Sequence, residues 1–167
     1  MRNCIAHNLV GQGYSRPVDD DFPQLALDQQ ICLPLYATSR ALTRRYHSLL
    51  AEHGLTYPQY LTLLALWDSD GPVGVGDLGQ RLHLDSGTLT PLLKRLEAAG
   101  LVTRTRDDVD ERRVLVALTD AGRQMRTRVA DVPARLVEGM NMAADDVVTL
   151  RRLLDHVLGE LERRERA

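Results

Sequence analysis

Three side chains have the types and spacing for thiol redox chemistry. Cys32 lies at or just before the start of a helical stretch, Tyr36 follows four residues later, and Tyr46 fourteen. Uncapped N–H groups and the positive end of the helix dipole favour a thiolate at such a position. A thiolate is the form that a peroxide oxidises, to a sulfenic acid. Tyr36 is one turn on along the same face, so its hydroxyl can reach the sulfur or the peroxide oxygen. Tyr46 returns to nearly that face but about 21 Å along the axis, too far to touch the Cys32 of its own helix. Only an antiparallel partner helix, were the chain to dimerise, could bring it there. The plainer alternative makes Cys32 a small buried core residue, as most free cysteines are, with both tyrosines packing at an interface.

A second group of residues suits DNA. In the stretch 86–99, Leu89, Leu92, Leu93 and Leu96 fall on one side of a helix. Gly87, Thr90, Pro91, Lys94 and Ala98 point away from them, with Thr88 and Arg95 on the flanks and Ser86 at the start. Small hydroxyls, a glycine and two cations can approach phosphates and base edges closely. Pro91 removes a helical donor, but on the outward face it offers a rigid apolar surface to a thymine methyl. Further on, Arg104, Arg106, Arg112 and Arg113 alternate with Asp107, Asp108, Asp110 and Glu111. A cation at a ribbon tip suits a narrow minor groove, and Asp110 is placed to orient Arg112 by a charge-assisted pair. The alternatives are an ordinary amphipathic helix and a solvated, self-neutralising hairpin.

The elements that must position these residues follow from period and punctuation. Residues 1–23 read as a flexible leader with two Gly, two Pro and the run Asp19-Asp20-Asp21. Ile31, Leu35, Leu42, Tyr46 and Leu49 make a helical stripe over about 27–51; the regular helix should begin between Asp28 and Leu33, with Pro34 in its first turn, and close at Gly54. Further helices are expected over 57–67, 75–82 and 86–99, the last ended by Gly100. Short strands at 101–105 and 113–118 flank the charged loop as a β-hairpin. A helix from Asp120, capped by Thr119 and kinked at Pro133, precedes a last one over about 144–164. Helix, tight turn, helix and charged hairpin is the order of a winged helix-turn-helix, whose second helix enters the major groove. The fold class is therefore mainly α with a small β wing.

These residues resemble a known family. Tyr57-Pro58-Gln59-Tyr60, the run from Leu84 to Arg95 and the wing Asp110-Glu111-Arg112 resemble the MarR family of regulators. Cys32-Leu33-Pro34-Leu35-Tyr36, then Ser39-Arg40 and Tyr46, resemble the sensing helix of its OhrR-type members, which respond to organic hydroperoxides. The resemblance spans roughly 27–161. It implies one domain over 24–167, with a DNA-binding lobe at 55–118 and dimerisation helices at 27–52 and 119–165. It also implies a homodimer gripping a palindromic double-stranded operator and released when Cys32 is oxidised. The two-cysteine members carry a resolving thiol after the fifth helix, and residues 129–142 contain none. Cys32 is thus expected to end as a mixed disulfide with a small thiol or as a further-oxidised acid. Cys4 is a dispensable tail residue or, through a flexible leader, a resolver.

Composition narrows the rest. Hydrophobic residues at 44% and charged ones at 26% fit a globular chain of one domain. The net charge of −2 is neutral on DNA binding, which needs only a local basic surface. No apolar run is long enough for a membrane span, and the start lacks a signal-peptide core, so the expected compartment is the cytosol with both thiols reduced. The five histidines stand in no metal-ligand spacing; no metal, cofactor or catalytic residue is expected. A Cys-based peroxidase would want a His base near Cys32, and none adjoins it. A repressor released by a reversible aromatic ligand, with Cys32 incidental, remains the main alternative. A DNA-free interaction module gains only from the low net charge.

Overall fold

The computed structural model describes residues 22–165. Nearly all of the expected leader, with Cys4, lies outside the described residues. The chain divides between Arg45 and Tyr46 into two compact units.

In the first unit, two single-turn 3-10 helices, Pro23–Leu25 and Leu27–Gln29, lead into α1 (Cys32–Leu50). Gln30 ties these turns together, its Nε2 donating to Gln24 O at 2.6 Å and Ala26 O at 3.1 Å. Pro34 is the third residue of α1, where a backbone N–H would find no helical acceptor, so the ring costs nothing. Phe22, Leu25, Leu27, Ile31, Leu35 and Tyr36 are all exposed.

The second unit holds the core. After α1 the chain tightens through Ala51–His53 and turns at Gly54, in the left-handed region at φ 67°. In α2 (Tyr57–Trp67) Gln59 Oε1 reaches back to accept the Thr56 N–H at 2.8 Å, half of a capping box. Then come β1 (Val73–Gly74), α3 (Val75–Leu82), α4 (Ser86–Ala98), β2 (Val102–Arg106), β3 (Val114–Leu118), α5 (Asp120–Arg128), α6 (Val132–Met140) and α7 (Ala144–Glu165). The sheet is antiparallel in the order β1-β3-β2, with Arg104 opposite Val116 and Arg106 opposite Val114.

The architecture is mainly helical with a small β wing, as the periodicity implies. Two details differ. β1 extends the expected hairpin to three strands; a pair of residues is too short to show a period. The helix expected to kink at Pro133 is instead two helices. Pro133 occupies the first turn of α6, where proline starts a helix rather than bends one.

Leu49, Leu50, Tyr60, Leu63, Leu66 and Leu78 pack with the four leucines of α4, Val102, Val116, Met125 and Val132 in one core. Burying each α4 leucine stabilises by about 2 kcal/mol. Together they outweigh the roughly 3 kcal/mol that a proline inside a helix costs, so α4 runs on through Pro91. Among the described residues, no helix is long and apolar enough to cross a membrane.

Candidate DNA-reading face and sensor thiol

The start of α4 is held by its cap. Asp85 Oδ1 accepts the Thr88 N–H and Oδ2 accepts the Thr88 hydroxyl, both at 2.9 Å. The Thr88 N–H, then its hydroxyl, hold the Asp85 carboxyl below the usual carboxylate range. Thr88 is thereby rigidified on the flank of the helix. With the leucines turned inward, Ser86, Gly87, Thr88, Thr90, Pro91, Lys94 and Arg95 are exposed on the other side.

The wing is joined to this helix by Arg104, whose Nε and Nη2 donate to Glu97 Oε2 at 3.0 and 2.6 Å. Its backbone N–H reaches Oε1 of the same carboxylate at 3.2 Å. These bonds, the side-chain ones foremost, hold the Glu97 carboxyl below its ordinary range. The tip closes through the Asp107 N–H to Arg113 O at 3.0 Å and the Arg113 N–H to Asp110 O at 2.8 Å.

Asp110 corrects an expectation. Its Oδ1 accepts the Arg112 backbone N–H at 3.1 Å, and among the described residues it makes no ion pair with the Arg112 guanidinium. At two residues' separation in a tight turn, the backbone donor is nearer than the end of a long side chain. Asp110 therefore shapes the loop, and Arg112 has no ion-pair partner among the described residues. Among the described residues, Lys94, Arg95 and Arg106 likewise have no ion-pair partner, whereas Arg113 Nη2 lies 3.0 Å from Asp77 Oδ2. A groove of about 600 Å³ runs past Thr90, Arg104, Arg112 and Arg113. Its lining sets these three arginines against Asp77, and among the described residues only Arg112 of the three has no ion-pair partner.

In the first unit, Cys32 is a free thiol, exposed at the first residue of α1. It is not the buried core residue of the plainer alternative. The Tyr36 hydroxyl accepts a hydrogen bond from Arg40 Nη1 at 2.7 Å, and the guanidinium carbon lies 5.5 Å from the ring centroid. Arg40 at i+4 thus engages the phenol that spacing alone directs to the sulfur. Among the described residues, the Cys32 sulfur has no hydrogen-bond partner.

In the second unit, Tyr46 stacks on Tyr57 with ring centroids 4.1 Å apart and planes 10° from parallel. It also meets Tyr60 at 5.7 Å, and Tyr60 meets Trp67 edge-on at 6.5 Å. Burial first, then the neighbouring phenols Tyr57 and Tyr60, push the Tyr46 hydroxyl up to about 12. Sequence reasoning assigned no role to Tyr57 and Tyr60. Their three-residue spacing on one helix face, with Trp67 two turns further, was the available signal.

A family model described as Transcriptional regulator SarA/Rot matches residues 44–129. The chain is 50% identical over 137 residues to the HTH-type transcriptional regulator TtmR of Methylorubrum extorquens, covering 82% of this chain and 68% of TtmR. It is 40% identical over 147 residues to the organic hydroperoxide resistance transcriptional regulator of Bacillus subtilis, covering 88% and 99%. Among solved structures, reduced AbfR bound to DNA matches at a TM-score of 0.69 and 36% identity, covering 83% of this chain and 96% of that one. AbfR, a protein of Staphylococcus epidermidis, is also solved overoxidised and bound to DNA, with a TM-score of 0.68. With the three-stranded wing, the helices α3 and α4 before it and these relatives in agreement, the chain belongs to the MarR-type winged-helix, DNA-binding transcriptional regulators.

Proposed function

We propose that this regulator is a homodimeric repressor, bound to a palindromic operator while Cys32 is reduced and released when an organic hydroperoxide oxidises it. The observation that carries the redox reading is the exposed Cys32 thiol at the first residue of α1. The relation to a hydroperoxide resistance regulator, at 40% identity over nearly all of that protein, supports it.

Bases and phosphates are read by Ser86, Gly87, Thr88, Thr90, Pro91, Lys94 and Arg95 in the major groove, and by Arg106 and Arg112 from the wing. A second copy is expected because apolar side chains stand bare in each unit, Ile31 at 70% exposure in one and Leu161 at 58% in the other. In that dimer Cys32 meets Tyr46 of the other protomer. Tyr46, neutral at pH 7, is then a hydrogen-bond donor to the sulfur.

The chemistry is a displacement at oxygen. The thiolate attacks the terminal oxygen of ROOH, the O–O bond breaks, and after protonation the products are Cys32 sulfenic acid and ROH. A small thiol R′SH then attacks the sulfenic sulfur, giving the Cys32–S–S–R′ disulfide and water. AbfR is bound to DNA in its overoxidised form, which favours the mixed disulfide over the acid as the releasing state here.

The test is an operator-binding titration at fixed salt with cumene hydroperoxide, with and without a small thiol, on native protein and Cys32→Ser. Release of the native protein, faster with thiol and absent in Cys32→Ser, is expected. Undiminished release of Cys32→Ser disposes of the reading. In that event a second reading gains. A hollow of about 360 Å³ lined by Tyr60, Trp67, Asp68 and Arg126 offers aromatic walls to an aromatic carboxylate, with Asp68 engaged by Arg81 and Arg126 as the cation. Release by salicylate, unaffected by reductant, is its signature.

A further inference from the structure

Position alone makes Arg113, beside Arg112 at the base of the wing, one more cation for DNA. Its surroundings say otherwise. Arg113 Nη2 is 3.0 Å from Oδ2 of Asp77, thirty-six positions earlier. Asp77 is in the first turn of α3, where unpaired backbone N–H groups and the helix dipole hold a carboxylate in place. The backbone of Arg113 meanwhile closes the wing loop on both sides, accepting from Asp107 and donating to Asp110.

A third residue fits around this pair. Gly74 is buried, and a Cβ on it would lie 2.7 Å from Asp77 Oδ2 and 2.9 Å from Arg113 Nη2. Its φ of −63° is open to any residue, so backbone conformation does not call for glycine here. The space is what the ion pair occupies.

We propose that Arg113 is a positioning residue that clamps the wing to α3 and thereby aims Arg112, and is not itself a DNA contact. The proposal rests on the reading that the wing reaches DNA. Both side chains are about half exposed, so the pair adds little to global stability. It acts instead on a loop that has few other bonds to the rest of the fold.

The test uses full-length reduced protein and a duplex that the native protein selects from a random pool, with affinity measured across a salt series. Replacing a phosphate or groove cation lowers the slope of log K against log salt by about 0.9. Arg112→Gln should therefore weaken binding and reduce the slope. Arg113→Gln, Asp77→Asn and Gly74→Ala should each weaken binding about three- to fivefold with the slope unchanged. The Asp77→Asn, Arg113→Gln double variant should be no weaker than either single one. Asp77→Asn is the sharpest arm, because removing a negative charge would by itself strengthen DNA binding. Amide exchange at residues 107–112 should also quicken in that variant.

Unchanged or tighter binding by Asp77→Asn, together with a slope loss in Arg113→Gln, makes Arg113 a direct contact and overturns the clamp. If Arg112→Gln changes neither affinity nor slope, the wing does not reach DNA, and that reading falls with the clamp.

Discussion

Tyr46 and Tyr57 stack face to face, 4.1 Å between ring centroids, with the Tyr46 hydroxyl pushed up to about 12 by burial and by its phenol neighbours. An unfolded phenol ionises near pH 10, so between about pH 10 and 12 the unfolded chain has lost a proton that the folded chain keeps. Stability is thus fully present below the unfolded value and falls as pH rises through that window. Tyr46→Phe should flatten the alkaline limb of stability against pH in urea titrations, and ultraviolet titration should lose one late phenol. An unchanged alkaline limb would show that Tyr46 is not the group held protonated.

Acid conditions act on Glu97 in the opposite sense. Arg104 holds the Glu97 carboxylate below its ordinary range, first by the side-chain hydrogen bond. The stabilisation is present above the unfolded value and is lost as pH falls through the lower folded one. Glu97→Gln should lower Tm at neutral pH and show a shallower decline in stability on acidification. It should also weaken operator binding, since Arg104 joins the wing to α4. Equal acid limbs in the two proteins would count against the account.

How far such relationships can be read from sequence depends on their range. The caps at Thr56, Asp85 and Thr119 and the stop at Gly100 are local chemistry, and they mark the helix ends where periodicity places them. The inward leucines of α4 follow from period alone. The stacking of Tyr46 on Tyr57 and the Asp77–Arg113 pair join positions that only tertiary packing brings together, so spacing carries no sign of them. Asp110 shows a different limit. Spacing puts its carboxylate beside Arg112, but whether that carboxylate takes the side chain or the backbone N–H of Arg112 depends on the turn's dihedrals.

Gly122 is a case where a side chain has no room. A Cβ there would lie 2.0 Å from Leu101 O, a backbone atom that the Thr119 N–H also holds at 3.1 Å. Trp67 Nε1 donates to the carbonyl of Gly122 itself at 3.0 Å. Gly122→Ala must push α5 off the sheet and should destabilise by roughly 2 kcal/mol or more in urea unfolding. Gly76→Ala, where nothing lies within 4 Å of the added carbon, is the control and should be close to neutral. Equal effects at the two sites would contradict the packing described.

Pro91 sets stability against recognition within one helix. It stands exposed in the middle of α4, lacking the N–H that the carbonyl of Gly87 would otherwise accept. Pro91→Ala restores that bond without disturbing the buried leucines, so unfolding free energy should rise by about 1–3 kcal/mol. If the pyrrolidine ring packs on a thymine methyl, the same change removes apolar contact with the operator and should weaken binding about three- to tenfold. The salt slope should stay the same, because no charge is lost. A more stable protein with weaker, equally salt-dependent binding is the combined outcome that identifies a residue kept for function at a cost in stability. A gain in both stability and affinity would instead make Pro91 a tolerated defect, leaving Thr90 and Lys94 to read the groove without it.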